Sequence, residues 1–155
     1  MIWEELKDSL IFTGLQAETS DDVMRQLGAA FINEGYCKET YVEALIAREK
    51  EFPTGLDVDG IGVAIPHTDV SHVNEPGIAI AVLTDPVTFI QMGTDDEITQ
   101  VKLVFMLAVK DPNAHLENLQ QIIAIIQDTE VLKKLLEVTE KKEIIEIIKE
   151  KENSL

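Results

Sequence analysis

Cysteine is nearly absent from this chain of 155 residues, with Cys37 the only one. A lone thiol excludes an internal disulfide and any structural zinc site built on cysteines. Cys37 follows Gly35-Tyr36 at an expected helix end, with no positive cluster beside it to lower its pKa, so a structural or incidental thiol is expected rather than a nucleophile. Basic residues are also scarce, 13 Lys and Arg against 29 Asp and Glu, for a formal net charge of −16. Nucleic acids and anionic membranes are bound by neutralising phosphate with Lys and Arg, so this balance argues against both and favours partners with basic or apolar patches. No window approaches the ~20 apolar residues of a membrane span. Met1 to Ser20 carry Glu4, Glu5 and Asp8 without a basic leader or a long apolar stretch, which does not read as a signal peptide. A soluble, cytoplasmic protein is the expectation. Internal repeats, low-complexity tracts and linkers are missing too. So are a glycine-rich phosphate loop ending in Lys-Ser or Lys-Thr, a dinucleotide-binding glycine fingerprint and a serine nucleophile elbow.

The residues present describe a globular chain, 45% hydrophobic and 27% charged, long enough for one sizeable core and too short for two, so a single domain spanning 1–155 is expected. Ser20 reads as an N-cap with Asp21 and Asp22 in the first turn, and Val23, Leu27, Ala30 and Phe31 mark the inward face of a helix that Gly35 stops. A second helix is expected from Lys38 to Glu51, ended by Pro53 and Gly55. Ile61 to Ile65, Gly77 to Leu83, Val87 to Ile90 and Val101 to Val109 read as strands, the last nearly continuous in apolar residues and therefore central. Ile11 and Phe12 are expected to add an edge. Asn74 to Gly77, Thr84-Asp85-Pro86 and Met92 to Asp96 read as turns or loops. Asp111-Pro112 is a helix start, followed by Leu116, Leu119, Ile122, Ile123 and Ile126 at helical spacing. Further helical patterns cover Thr129 to Glu137 and Glu140 to Lys149. The expected fold class is α/β, a mixed sheet of four to five strands flanked by helices on both sides.

Chemistry concentrates where an apolar run ends, in Val63-Ala64-Ile65-Pro66-His67. Pro66 fixes its own φ and biases Ile65 toward extended geometry, so the chain leaves the sheet in a defined direction and His67 is aimed. Imidazole, with an ordinary pKa near 6.5, is suited to attack phosphorus, to ligate a metal or to act as a general base. His115 falls in the first turn of the helix opened by Asp111-Pro112, where unpaired N–H groups and the dipole attract anions. Arg48, near the end of the second helix, has the planar fork that binds phosphoryl oxygens bidentately. Taken singly, each of the three has an ordinary structural explanation: a strand-end histidine, a surface histidine, a solvated arginine. Asp57 and Asp59 read as solvated turn acids. Thr54 and Thr68 are short hydroxyl donors able to bond an imidazole or a phosphate, though such residues more often cap backbone. His67, Asp69 and His72 form a loose scatter of metal-type ligands whose spacing matches no helical pair.

The run Ala44-Leu45-Ile46-Ala47-Arg48-Glu49-Lys50-Glu51-Phe52-Pro53-Thr54-Gly55, then Val63 to His67, then His115-Leu116-Glu117-Asn118-Leu119, resembles the enzyme IIA domains of the fructose and mannitol class of the bacterial sugar phosphotransferase system. The resemblance covers Ile2 to Ile148. It implies the mannitol-type enzyme IIA fold, with His67 as the phosphoacceptor, His115 as the second active-site histidine and Arg48 as the phosphoryl-binding cation. The implied partners are the phosphocarrier protein HPr as donor and a cysteine of enzyme IIB as acceptor, with the membrane enzyme IIC beyond it. No cofactor and no metal are implied. The link from Thr54 to His67 is longer than is usual in the fructose and mannitol types, and in this the chain resembles the galactitol-specific branch. Thr68 stands where the family commonly has glycine. Two other readings compete. One is a phosphorylation-state switch like the nitrogen-related enzyme IIA, and the other a metal-dependent hydrolase using His67, Asp69 and His72.

Overall fold

A computed structural model describes residues 1–111, 113 and 116–155, with only the backbone of Leu116. Its centre is a five-stranded mixed sheet ordered β1-β4-β5-β3-β2, formed by β1 (Ile11–Leu15), β2 (Gly55–Val58), β3 (Ile61–Ala64), β4 (Gly77–Ile90) and β5 (Ile98–Ala108). β4 pairs antiparallel with β5 and parallel with β1, while β3 pairs parallel with β5 and antiparallel with β2. Helices α1 (Ser20–Asn33) and α2 (Tyr41–Glu51) cover one face. Helices α3 (Leu116–Gln127), α4 (Thr129–Leu136) and α5 (Lys141–Asn153) cover the other. This is the α/β architecture expected from the sequence. No helix among the described residues is long and apolar enough to cross a membrane.

Alternation along the central strands explains the two-sided core. In β5, Val104, Met106 and Ala108 enter the core under α1 and α2, while Leu103, Phe105 and Leu107 enter the core under α3 to α5. Both faces are buried, so the strand reads as one apolar run. Val101 lies on the same side as Val104, which strict alternation forbids. A register shift against β3 between Gly62 and Val63 accounts for the change of parity.

Several elements differ from the sequence reading. Thr84-Asp85-Pro86 is not a turn between two strands but an exposed bulge inside β4, where pairing passes from Val82 opposite Leu103 to Val87 opposite Val101. Proline, lacking an N–H, is tolerated at such a bulge. Asp57 lies within strand β2, which forms a hairpin with β3 through Asp59 and Gly60, both at positive φ (51° and 89°). Asp-Gly suits this turn, and Asp57 Oδ1 accepts the Gly60 N–H at 2.7 Å. The α1 cap is Thr19, one residue earlier than expected, its side chain accepting the Asp22 N–H at 3.1 Å. Helix α2 begins at Tyr41, not Lys38, because Cys37 bridges Val73 and the Lys38 N–H donates to the His72 carbonyl at 2.9 Å. Helix α5 runs on to Asn153, past Lys149, because Glu152 is buried and accepts the N–H groups of Ile2 (2.9 Å) and Trp3 (2.7 Å). Those residues belong to a short 3₁₀ turn, Ile2–Glu5, that the sequence reading passed over.

Candidate functional site

His67 lies just beyond β3, and two backbone bonds fix the segment that carries it. The Leu107 N–H donates to the Pro66 carbonyl at 3.0 Å, and the Ile65 N–H donates to the Thr54 carbonyl at 3.4 Å. Leu107 is held in turn from below, its carbonyl accepting the buried Tyr41 hydroxyl at 2.8 Å. His67 Nδ1 sits 2.9 Å from the Ile65 carbonyl oxygen. A carbonyl can only accept, so this contact requires the proton on Nδ1, and in the neutral ring the Nε2 lone pair is then free. The ring is partly exposed.

Arg48 shares a groove of about 390 Å³ with His67, Thr68 and Asp69. The rest of that groove is aliphatic, with Ile65, Leu107, Val109 and Ile123 among its walls. Arg48 forms no ion pair among the described residues, and its guanidinium carbon lies 4.8 Å from the centre of the Phe52 ring. Arg48 is therefore not simply a solvated arginine. The charge is stacked on an aromatic and open to an anion.

Glu49, the next residue, faces inward. It is 8% exposed, and its two carboxylate oxygens accept the Thr54 N–H and the Thr54 hydroxyl, each at 2.8 Å. Burial raises the Glu49 carboxyl above its ordinary pKa, and the two bonds from Thr54 pull it back. The Thr54 hydroxyl is thus spent on Glu49 and, among the described residues, bonds no imidazole. Sequence reasoning missed this pair, although an acid in the last turn of a helix, where the dipole disfavours it, is a signal that something compensates. Phe52 and Ile123, both half-exposed beside the groove, were not singled out from the sequence either.

Of the other described candidates, Thr68 and Asp69 line the groove and His72 does not. His115 and Pro112 lie outside the described residues. His72 Nδ1 is 2.8 Å from the Thr40 hydroxyl, and Asp69 accepts the Ser71 hydroxyl at 2.6 Å, which holds its carboxyl below its ordinary pKa. Among the described residues no three His, Cys, Asp or Glu side chains are grouped to hold a metal ion, so His67, Asp69 and His72 do not form a metal site. Cys37 is buried, and desolvation pushes its thiol up to about 12, as a structural thiol requires.

Comparison with known proteins bears on this geometry. Residues 4–151 match the family described as phosphoenolpyruvate-dependent sugar phosphotransferase system, EIIA 2. The galactitol-specific EIIA component of Escherichia coli K12 is 30% identical over 128 residues, 83% of this chain and 85% of that one. Among solved structures, mannitol enzyme IIA in complex with phosphorylated mannitol enzyme IIB from Escherichia coli superposes with a TM-score of 0.77 at 26% identity, covering 94% of this chain and 97% of that one. The nitrogen regulatory enzyme IIA of Neisseria meningitidis gives a TM-score of 0.74 at 26% identity, covering 95% and 98%. A pattern matched along nearly the whole chain, and a fold shared with solved members from one end to the other, place this protein in the EIIA 2 family, the phosphocarriers of the sugar phosphotransferase system.

Proposed function

We propose that His67 accepts a phosphoryl group from phosphorylated HPr and passes it to a cysteine of a cognate enzyme IIB, which serves an enzyme IIC in the coupled uptake and phosphorylation of a polyol. The observation that carries this reading is the bond from His67 Nδ1–H to the Ile65 carbonyl, which leaves Nε2 as the nucleophile in a groove it shares with Arg48. Nε2 attacks phosphorus in line. The new N–P bond forms as the bond to the donor's imidazole breaks, and the leaving electron pair returns to that ring. Phosphoryl transfer through a loose transition state asks mainly for positioning and for stabilisation of charge on the equatorial oxygens, which the Arg48 guanidinium supplies. By family resemblance His115 adds a second imidazole. The aliphatic groove walls suit a docking surface that is apolar at its centre, and the acidic exterior favours a basic rim around it.

Galactitol is the proposed substrate of the pathway, on the strength of the galactitol-specific relative and the long Thr54 to His67 link. The likeness to a nitrogen regulatory enzyme IIA supports a second reading, in which the same histidine sets a regulatory state. Incubation with phosphoenolpyruvate, enzyme I and HPr, followed by addition of enzyme IIB, separates them. The relay reading requires one phosphate on the wild-type protein, none on His67→Ala, slow or unstable loading of His115→Ala, and transfer onward to the enzyme IIB cysteine. Retention of the phosphate in the presence of cognate enzyme IIB, with no effect of gene loss on polyol uptake, favours the regulatory reading.

A further inference from the structure

Consecutive residues of α2 serve different sides of the same site. Arg48 lines the groove, while Glu49 turns into the protein and grips Thr54 through both its backbone N–H and its hydroxyl at 2.8 Å. Thr54 immediately precedes β2, whose Gly55 pairs with Ala64 of β3. From there the contacts continue toward the imidazole. The Thr54 carbonyl accepts the Ile65 N–H at 3.4 Å, and the Ile65 carbonyl accepts the Nδ1–H of His67 at 2.9 Å. We infer that Glu49 is a positioning residue for the phosphoryl-transfer site, tying the helix that carries Arg48 to the strand end that carries His67 through Thr54 and Ile65. The inference rests on the phosphocarrier reading proposed above for its effect on rate, and on the geometry alone for its effect on the imidazole.

Three features give the clamp this role rather than that of a generic buried contact. Both partners are largely enclosed, Glu49 at 8% and Thr54 at 4% exposure, so water replaces a lost bond poorly. Both carboxylate oxygens are used on one residue, which fixes the orientation of the Phe52-Pro53-Thr54 link and not merely its distance. That link also presents Phe52, on whose ring the Arg48 guanidinium rests, and the Phe52 N–H closes the helix on the Arg48 carbonyl at 2.6 Å. Loosening the clamp therefore frees the cation and the nucleophile together, and misplacement of reacting groups by a fraction of their contact distance lowers rate steeply.

The test compares Glu49→Met, which keeps length and removes both acceptors, with Glu49→Gln, whose carbonyl still accepts the N–H while its amide donates to the hydroxyl oxygen. Thr54→Val and Thr54→Ser form a second pair, removing and restoring the hydroxyl. Each variant is read by nitrogen-15 NMR of the His67 ring and by the rate of phosphoryl uptake from phosphorylated HPr. Glu49→Met is expected to give a mixture of ring tautomers and about tenfold lower kcat, with KM for the donor changed by less than about twofold, since docking uses the groove and not the clamp. Thr54→Val is expected to lose about threefold, and Glu49→Gln and Thr54→Ser to recover most of the rate. Should Glu49→Met fail to fold, the Thr54 pair decides. Wild-type tautomer and wild-type kcat in Thr54→Val and in any folded Glu49→Met, with only the melting temperature lowered, would overturn the inference. If wild-type protein takes up no phosphoryl group, the phosphocarrier reading falls instead, and the tautomer comparison still decides the positioning role.

Discussion

Glu49 holds a nearly buried ionisable group for which, among the described residues, compensation comes from two donors on Thr54. Burial raises its carboxyl above the ordinary value of 4.5, and the bonds to Thr54 oppose that shift without cancelling it. A carboxyl whose folded pKa is raised favours the folded state below the unfolded pKa, and that contribution is lost as pH rises through the folded pKa. Urea unfolding of wild type and Glu49→Gln across this range is therefore expected to show wild type losing stability relative to the variant as pH rises from about 4 toward neutrality. A gap that stays constant with pH would contradict the raised pKa. That His67 and Arg48 could share one groove was legible in the sequence because proline and motif spacing constrain them locally. Glu49 was not, because an acid in a run of Arg, Glu and Lys reads as solvated until tertiary packing turns it inward.

At the scale of elements, the site depends on how closely β3 approaches β5. A Cβ built on Gly62 would meet the Gln100 carbonyl oxygen at 1.8 Å and its carbonyl carbon at 2.5 Å, and both are backbone atoms that cannot swing aside. Gly62→Ala is accordingly expected to cost about 3 kcal/mol in chemical unfolding and to loosen the strand end that presents His67. Gly60→Ala meets no atom within 4 Å but strains a positive φ of 89°, so it is expected to cost less, about 1 kcal/mol. Equal losses would show that the interstrand approach is not the controlling feature. Strands with strong apolar runs were legible, as β5 shows. The β2 to β3 hairpin was not, because Gly55-Leu56-Asp57-Val58 is too short to read as a strand, so that Asp59, rightly read as a turn acid, had no strand before it to join to β3. The bulge in β4 was hidden for a related reason, since Asp85-Pro86 carries the same local signal whether the chain reverses or only bows outward.

Across the whole molecule, α5 is fastened to the 3₁₀ turn Ile2–Glu5 by Glu152, 1% exposed, whose carboxylate accepts the N–H groups of Ile2 and Trp3. Glu152→Ala leaves two donors without acceptors in a place water barely reaches, and is expected to cost about 3 kcal/mol. Trp3 is the only tryptophan, so its fluorescence reports this corner alone. The variant is expected to show a red-shifted emission in the native state, with circular dichroism otherwise retained; unchanged emission and stability would refute the role of the latch. The net charge of −16 acts on the same scale. A charge of this sign and size disfavours polyanions and would speed encounter with a basic docking surface, an effect on association rate more than on bond strength.

If Nε2 of His67 carries the phosphoryl group, phosphorus-31 NMR of nitrogen-15 histidine-labelled protein reads that bond as a phosphorus–nitrogen coupling. After incubation with phosphoenolpyruvate, enzyme I and HPr at alkaline pH, a single phosphorus resonance is predicted, coupled to Nε2 of His67 and absent in His67→Ala. Phosphate on Nδ1, on another residue, or on neither would contradict it.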